Sequence, residues 1–367
     1  EVYSTTCFTL AQRKALKEIY AGPHNSKGKA WYPGQPLSAE YMAWDSRSNS
    51  FASGFGAAIL DDRAPCMFAN IAMDPPQGPN FDITNFDWDK DPIRIQKTTV
   101  DGCLADTCKT FTVHNTSDAI TISPEPTFNM GGLKPVYKKG AKIVQFHGWS
   151  DALVTALAAS RGLYETTMDT MGIEKTKSFW KLYLVPGAGH GGGGLSAWTT
   201  NTTGFNAMVD WVENGIEPGA LLGSRAANVD ANYPAARTRP NCPYPEVARY
   251  SGTGSIDEAV NFSCVPPINV RIVPETMNLR SKGVFTALIT VPRDYHMRDW
   301  NLNDITCEGA TAKYGFAVGN TYMATFHTRD LQNITPGKSV TLTLKGKFRK
   351  DGKDALVQAS DTIRVIK

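Results

Sequence analysis

No run of about 18 consecutive apolar residues occurs in this 367-residue chain, which excludes a membrane-spanning helix. Basic residues do not cluster either: 38 Lys+Arg against 35 Asp+Glu give a net charge of +3 without long basic runs, so no nucleic-acid footprint is present. The seven cysteines form no C-x-x-C pair and no His/Cys ligand cluster, which argues against zinc and fits disulfides in an oxidising compartment. Seven is odd, so at least one thiol is free or bonded to another chain. The opening Glu1-Val2-Tyr3-Ser4-Thr5-Thr6-Cys7 has neither a basic n-region nor an apolar h-region, and the expectation is a mature or internal end. A G-x-S-x-G nucleophile elbow is also absent.

What is present is an ordinary globular composition, 41% hydrophobic, with 32 Gly and 22 Pro that predict much loop and a length sufficient for two domains. Residues 7–20 place Leu10, Ala15, Leu16 and Ile19 along one side of a short helix, which Thr9 can cap and Gly22-Pro23 ends. From about 25 to 138 the chain is aromatic, Pro/Gly-punctuated and without sustained periodicity, as expected of a lid or insertion. The character changes at 139. Lys142–His147 is a short apolar run suited to a buried strand, and Leu153, Leu157, Tyr164, Met168 and Met171 follow at helical spacing. Phe179–Val185 reads as a second strand, and a helix with Phe205, Met208, Val209, Trp211 and Val212 comes next, so the segment is a βαβα unit of a parallel sheet. Beyond Pro266 short β-rich runs recur at roughly ten-residue spacing, predicting a β-sandwich. Its excess of lysine fits either a binding surface or strand edges protected from aggregation.

In open α/β sheets functional groups sit just past the carboxyl ends of strands. Asp151 follows the first strand after a short turn, and His190 lies in the glycine-rich loop after the second. An Asp and then a His in that order is how α/β-hydrolases supply the acid and base of a Ser-His-Asp triad. Histidine can take a serine proton and return it to a leaving alcohol, while the carboxylate fixes its tautomer. Singly, Asp151 also reads as a helix-capping residue and His190 as an ordinary loop histidine; order and strand context together favour the pair. Ser150 as nucleophile would need another carboxylate, such as Asp169 or Glu174, and neither follows a strand.

These segments resemble the tannase and feruloyl esterase family. The resemblance is carried by Cys7-Phe8-Thr9-Leu10-Ala11-Gln12 with Ile19-Tyr20-Ala21-Gly22-Pro23, Phe86-Asp87-Trp88-Asp89, His147-Gly148-Trp149-Ser150-Asp151 and Val185-Pro186-Gly187-Ala188-Gly189-His190. Arg239-Pro240-Asn241-Cys242-Pro243-Tyr244-Pro245 and Asn261-Phe262-Ser263-Cys264 complete the ordered series, over about 5–266. The resemblance implies a partial α/β-hydrolase: a hydrolase segment over 1–24, a lid over 25–138 and the C-terminal part of the catalytic sheet over 139–267; residues 268–367 fall outside it and are expected, from their strand pattern, to form an appended Ig-like β-sandwich.

By the same resemblance Asp151 is the triad acid, His190 the base, and Cys242 and Cys264 a disulfide. The family's serine and its Asp-rich calcium loop lie upstream of this sequence, which implies a partner: an N-terminal chain of the same precursor, disulfide-linked through Cys7. Gly191 stands where the family has a cysteine that straps histidine to nucleophile. The implied substrate is a small ester of an aromatic carboxylic acid, and the implied location is secreted or extracellular, with the periplasm an alternative. Phe86 and Trp88 either sandwich the acyl ring or form lid core. Cys103 and Cys108 are close enough to close a small loop, and Cys66 and Cys307 are unassigned. Asp82, Asp87, Asp89 and Asp91 lack the Gly-hinged spacing of a calcium loop and read as a solvated acidic turn. A competing reading is a non-catalytic extracellular binding or assembly protein built on the same fold.

Overall fold

A computed structural model describes residues 8–30, 33–37, 73, 77, 78, 80–92, 133–151, 155–189, 196–199, 201–229, 234–292, 295, 297, 301–350 and 353–367. Most of the expected lid, His190, and Cys7, Cys66, Cys103 and Cys108 lie outside them. The chain divides into two compact units, Glu1–Trp198 with Ala207–Ile216, and Thr199–Asn206 with Glu217–Lys367.

In the first unit, helix α1 spans Leu10–Ala21. Thr9 caps it as expected: its hydroxyl accepts from the Gln12 amide at 3.3 Å, and Gln12 Oε1 accepts from the Thr9 amide at 2.9 Å, a reciprocal capping box. Gly22, at φ 80°, ends it. Its apolar side is not buried, for Leu10 is 80% exposed and Phe8 just before it 63%. The acidic turn at 80–92 consumes its own carboxylates: Asp82 accepts from the amide and hydroxyl of Thr84, Asp91 from the Asp87 amide, and Asp89 from the Ser26 amide. The Thr84 hydroxyl and amide hold Asp82 below the usual carboxylate range, and the Lys90 ammonium at 2.7 Å, with the Asp89 amide, does the same for Asp87.

After the short helix α2 (Leu133–Lys138), strand β1 (Ile143–Gly148) pairs in parallel with β2 (Trp180–Val185), Ile143 opposite Trp180 and Gly148 opposite Val185. The crossover is not one continuous helix. A π-helical turn over Leu157–Gly162 leads into α3 (Leu163–Met171), and Gly172, at φ 95°, starts α4 (Ile173–Lys177). Burial of β2 is nearly complete, whereas Ile143 to His147 are half-buried, less than their apolar run predicts. Phe146 stacks on Tyr183 at 5.0 Å, and Tyr164 meets Trp180 edge-on at 5.1 Å while its hydroxyl donates to the Trp180 carbonyl. Helix α5 (Asn201–Glu213) supplies the buried Trp211, whose ring lies 4.8 Å from the Lys142 ammonium and 5.7 Å from that of Lys181.

The second unit opens with an antiparallel pair, β3 (Leu221–Arg225) with β4 (Arg237–Asn241), and a second pair, β5 (Val247–Tyr250) with β6 (Phe262–Val265). Cys242 and Cys264 form a disulfide, Cα atoms 5.6 Å apart. Nine more strands follow: β7 (Asn269–Val273), β8 (Thr276–Asn278), β9 (Val284–Thr290), β10 (Asn301–Cys307), β11 (Ala310–Thr311), β12 (Tyr314–Val318), β13 (Thr321–His327), β14 (Gly337–Lys350) and β15 (Lys353–Ile366). They build a four-stranded sheet in the order β12-β13-β9-β7 and a five-stranded sheet in the order β11-β10-β14-β15-β8. Alternation points Phe285, Ala287 and Ile289 of β9 and Leu342, Leu344 and Phe348 of β14 into one apolar core, which Val265 of β6 also joins. The family-matched hairpin and the two sheets thus share an interior. On β14 Lys345 is exposed and Lys347 pairs with Asp304 at 3.2 Å.

Candidate active site

Parallel pairing in register brings the carboxyl ends of β1 and β2 side by side, and with them the segments 149–151 and 186–189. The loops are tied together. Trp149 donates its amide to the Val185 carbonyl and Ser150 donates to the Ala188 carbonyl, both at 2.9 Å. Gly148 makes this approach possible, because the carbonyl oxygens of Ala188 and Gly189 stand where a Cβ would be. Gly187, at φ 74°, turns the second loop back toward the first. Asp151 therefore sits beside the peptide that ends at Gly189, one residue before His190.

Asp151 is 4% exposed, a buried carboxylate facing the Nε2 atom of His147 at 3.5 Å. His147 belongs to β1 and has no part in the sequence-based triad. Its Nδ1 atom makes a short hydrogen bond with the hydroxyl of Ser160 in the π-helical turn. That hydroxyl also accepts from Gln145 Nε2 at 3.0 Å, and the Trp180 indole donates to Gln145 Oε1 at 3.1 Å. A line of five polar side chains thus runs from β2 to Asp151. Sequence reasoning had only one signal for it, the polar residues Gln145 and His147 two apart inside an apolar strand.

Ser150 is fully buried, unlike a nucleophile that must meet substrate, and Asp169 and Glu174 are exposed on the crossover helices. Phe86 is buried and Trp88 is 48% exposed, the two rings in edge-on contact at 4.9 Å. Trp88 also lines a cavity of about 240 Å³ with Glu18, Gly22, Pro23 and His24. Among the described residues no group of three or more His, Cys, Asp or Glu side chains could hold a metal ion, and no helix is long and apolar enough to cross a membrane.

The family model for tannase and feruloyl esterase matches residues 2–265, through both loops and the disulfide. The chain belongs to the tannase and feruloyl esterase family. Among curated proteins it is 28% identical over 278 residues to the mono(2-hydroxyethyl) terephthalate hydrolase of Piscinibacter sakaiensis, covering 71% of this chain and 42% of that one. It is 27% identical over 292 residues to an uncharacterized esterase of Xanthomonas campestris pv. campestris, covering 71% and 47%. It is 27% identical over 276 residues to a probable feruloyl esterase B-1 of Aspergillus oryzae, covering 71% and 44%. The crystal structure of feruloyl esterase B from Aspergillus oryzae superposes with a TM-score of 0.46 at 22% identity, over 71% of this chain and 46% of that one. The chain spans about half the length of the curated relatives it matches.

Proposed function

We propose that this chain carries the acid and base of a secreted serine ester hydrolase of the tannase and feruloyl esterase type, acting on esters of aromatic carboxylic acids. The observation that carries the reading is the tie between Ser150 and Ala188, which seats the buried Asp151 carboxylate next to the loop leading into His190. In this reading the β1–β2 pair is the C-terminal part of an α/β-hydrolase sheet, 25–138 the lid, and the two-sheet unit an accessory β-sandwich.

The nucleophilic serine comes from polypeptide upstream of this sequence, as the family resemblance implies. The match, which covers under half of each family relative, supports this. Chemically, the serine oxygen attacks the ester carbonyl carbon as His190 takes its proton; the C–O bond to the alcohol then breaks as His190 returns that proton to the leaving oxygen. Water adds to the acyl-enzyme with His190 again as base, releasing the acid and restoring the serine. Asp151, ionised and buried, orients the imidazole and stabilises its cation. The family's calcium loop lies upstream, and no step above passes through a metal.

A fluorophosphonate label on the native preparation, followed by peptide mass spectrometry, tests the proposal. The expected adduct is on a serine outside these 367 residues, in polypeptide that co-purifies with them. A labelled serine within this sequence, or full esterase activity from this chain alone, overturns it.

A further inference from the structure

We infer that His147 is a positioning residue for Asp151, locked as the neutral Nε2–H tautomer by a one-way line of hydrogen bonds beginning at the Trp180 indole. The inference rests on reading Asp151 as the triad acid. Direction is fixed at the far end, because an indole N–H can only donate. Trp180 gives its proton to Gln145 Oε1, so the Gln145 amide is oriented with its NH₂ toward Ser160. The Ser160 oxygen thereby accepts a hydrogen bond, and its other contact among the described residues is His147 Nδ1, to which its hydroxyl donates. With Nδ1 an acceptor, a neutral ring carries its proton on Nε2, the atom that faces Asp151 Oδ2 at 3.5 Å.

The opposite assignment, with a proton on Nδ1, makes Ser160 accept twice. Ser160 is 2% exposed, and its hydroxyl proton would then lack an acceptor among the described residues. The π-helical turn matters here, since the Arg161 amide reaches back to the Ala156 carbonyl and the widened turn holds Ser160 buried. His147 thus turns its Nε2–H toward one carboxylate oxygen of Asp151.

Imidazole ¹⁵N–¹H correlation on ¹⁵N-histidine-labelled protein at neutral pH tests the tautomer. The expected result is a His147 ring protonated at Nε2 alone, with Trp180→Phe and Ser160→Ala each giving a mixture of tautomers. An imidazolium or an Nδ1–H ring in the parent protein, or unchanged spectra in both variants, overturns the inference. The positioning role is read in the serine-containing enzyme: His147→Leu is expected to lower kcat roughly 100-fold at unchanged KM, and His147→Gln, which keeps a donor, to retain most turnover. Equal losses in both variants, or full activity in His147→Leu, overturn it. Absence of a fluorophosphonate adduct in the parent enzyme marks failure of the esterase reading instead, and the tautomer is still decided by the spectrum.

Discussion

The Ser150 amide donates to the Ala188 carbonyl at 2.9 Å, joining two loops across 38 residues of sequence. Gly148 beneath that bond has no room for a side chain. Replacing Gly148 with Ala is expected to push the loops apart at a cost of about 1–3 kcal/mol. Chemical denaturation should show the lost stability, and the serine-containing enzyme should lose activity in step.

Asp151→Asn tests the carboxylate itself. In the serine-containing enzyme kcat is expected to fall by about 10⁴ with KM little changed, since the amide cannot hold the same histidine tautomer or stabilise its cation. Steady-state kinetics on a chromogenic ester of an aromatic acid would measure it. A decrease below tenfold would remove Asp151 from the triad.

Cys307 is a free thiol buried in the two-sheet core, and burial, with a smaller contribution from Glu308, pushes its pKa from 9.0 up to about 12. The neutral thiol is the stable folded form. Its contribution to stability is full below pH 9, where the unfolded chain is also protonated, and declines as pH rises from about 9 toward 12. Denaturation midpoints across that range should fall, and less so in Cys307→Ala. Alkylation of Cys307 at pH 8 should require denaturant.

The Cys242–Cys264 disulfide closes a loop with a sequence separation of 22, so Cys242→Ser with Cys264→Ser is expected to destabilise the second unit by about 3 kcal/mol. Because Val265 belongs to the shared core, the loss should appear in the unfolding of the β-sheets as well as of the hairpin. Calorimetry of the double variant checks this.

Much of the fold was legible as pattern. The Thr9 cap, the two parallel strands and the helix around Trp211 follow from spacing and end signals that act within a few residues. Among the strands that realise the β-rich pattern beyond Pro266 are β7 and β9. Others did not show: β12 reads Tyr-Gly-Phe-Ala-Val, and its glycine hides a strand whose tight place against Tyr322 only the sheet reveals. Likewise β14 and β15 run 14 residues each, longer than the short β-rich runs expected, because polar positions such as Lys345 and Arg349 on the outward face break the hydrophobic signal without breaking the ladder.

By itself the sequence determined which residue types stand after which strands: an Asp after the first, a glycine-bounded His after the second, and no serine elbow anywhere in the chain. These are facts of order, and order is local. The tertiary structure alone decided that Asp151 is buried, that Ala188 and Gly189 close over Gly148, and that Trp180, Gln145, Ser160 and His147 line up behind the carboxylate. The physical reason is that a hydrogen bond's worth depends on burial and direction, and both arise only when strands distant in sequence are paired and water has been excluded between them.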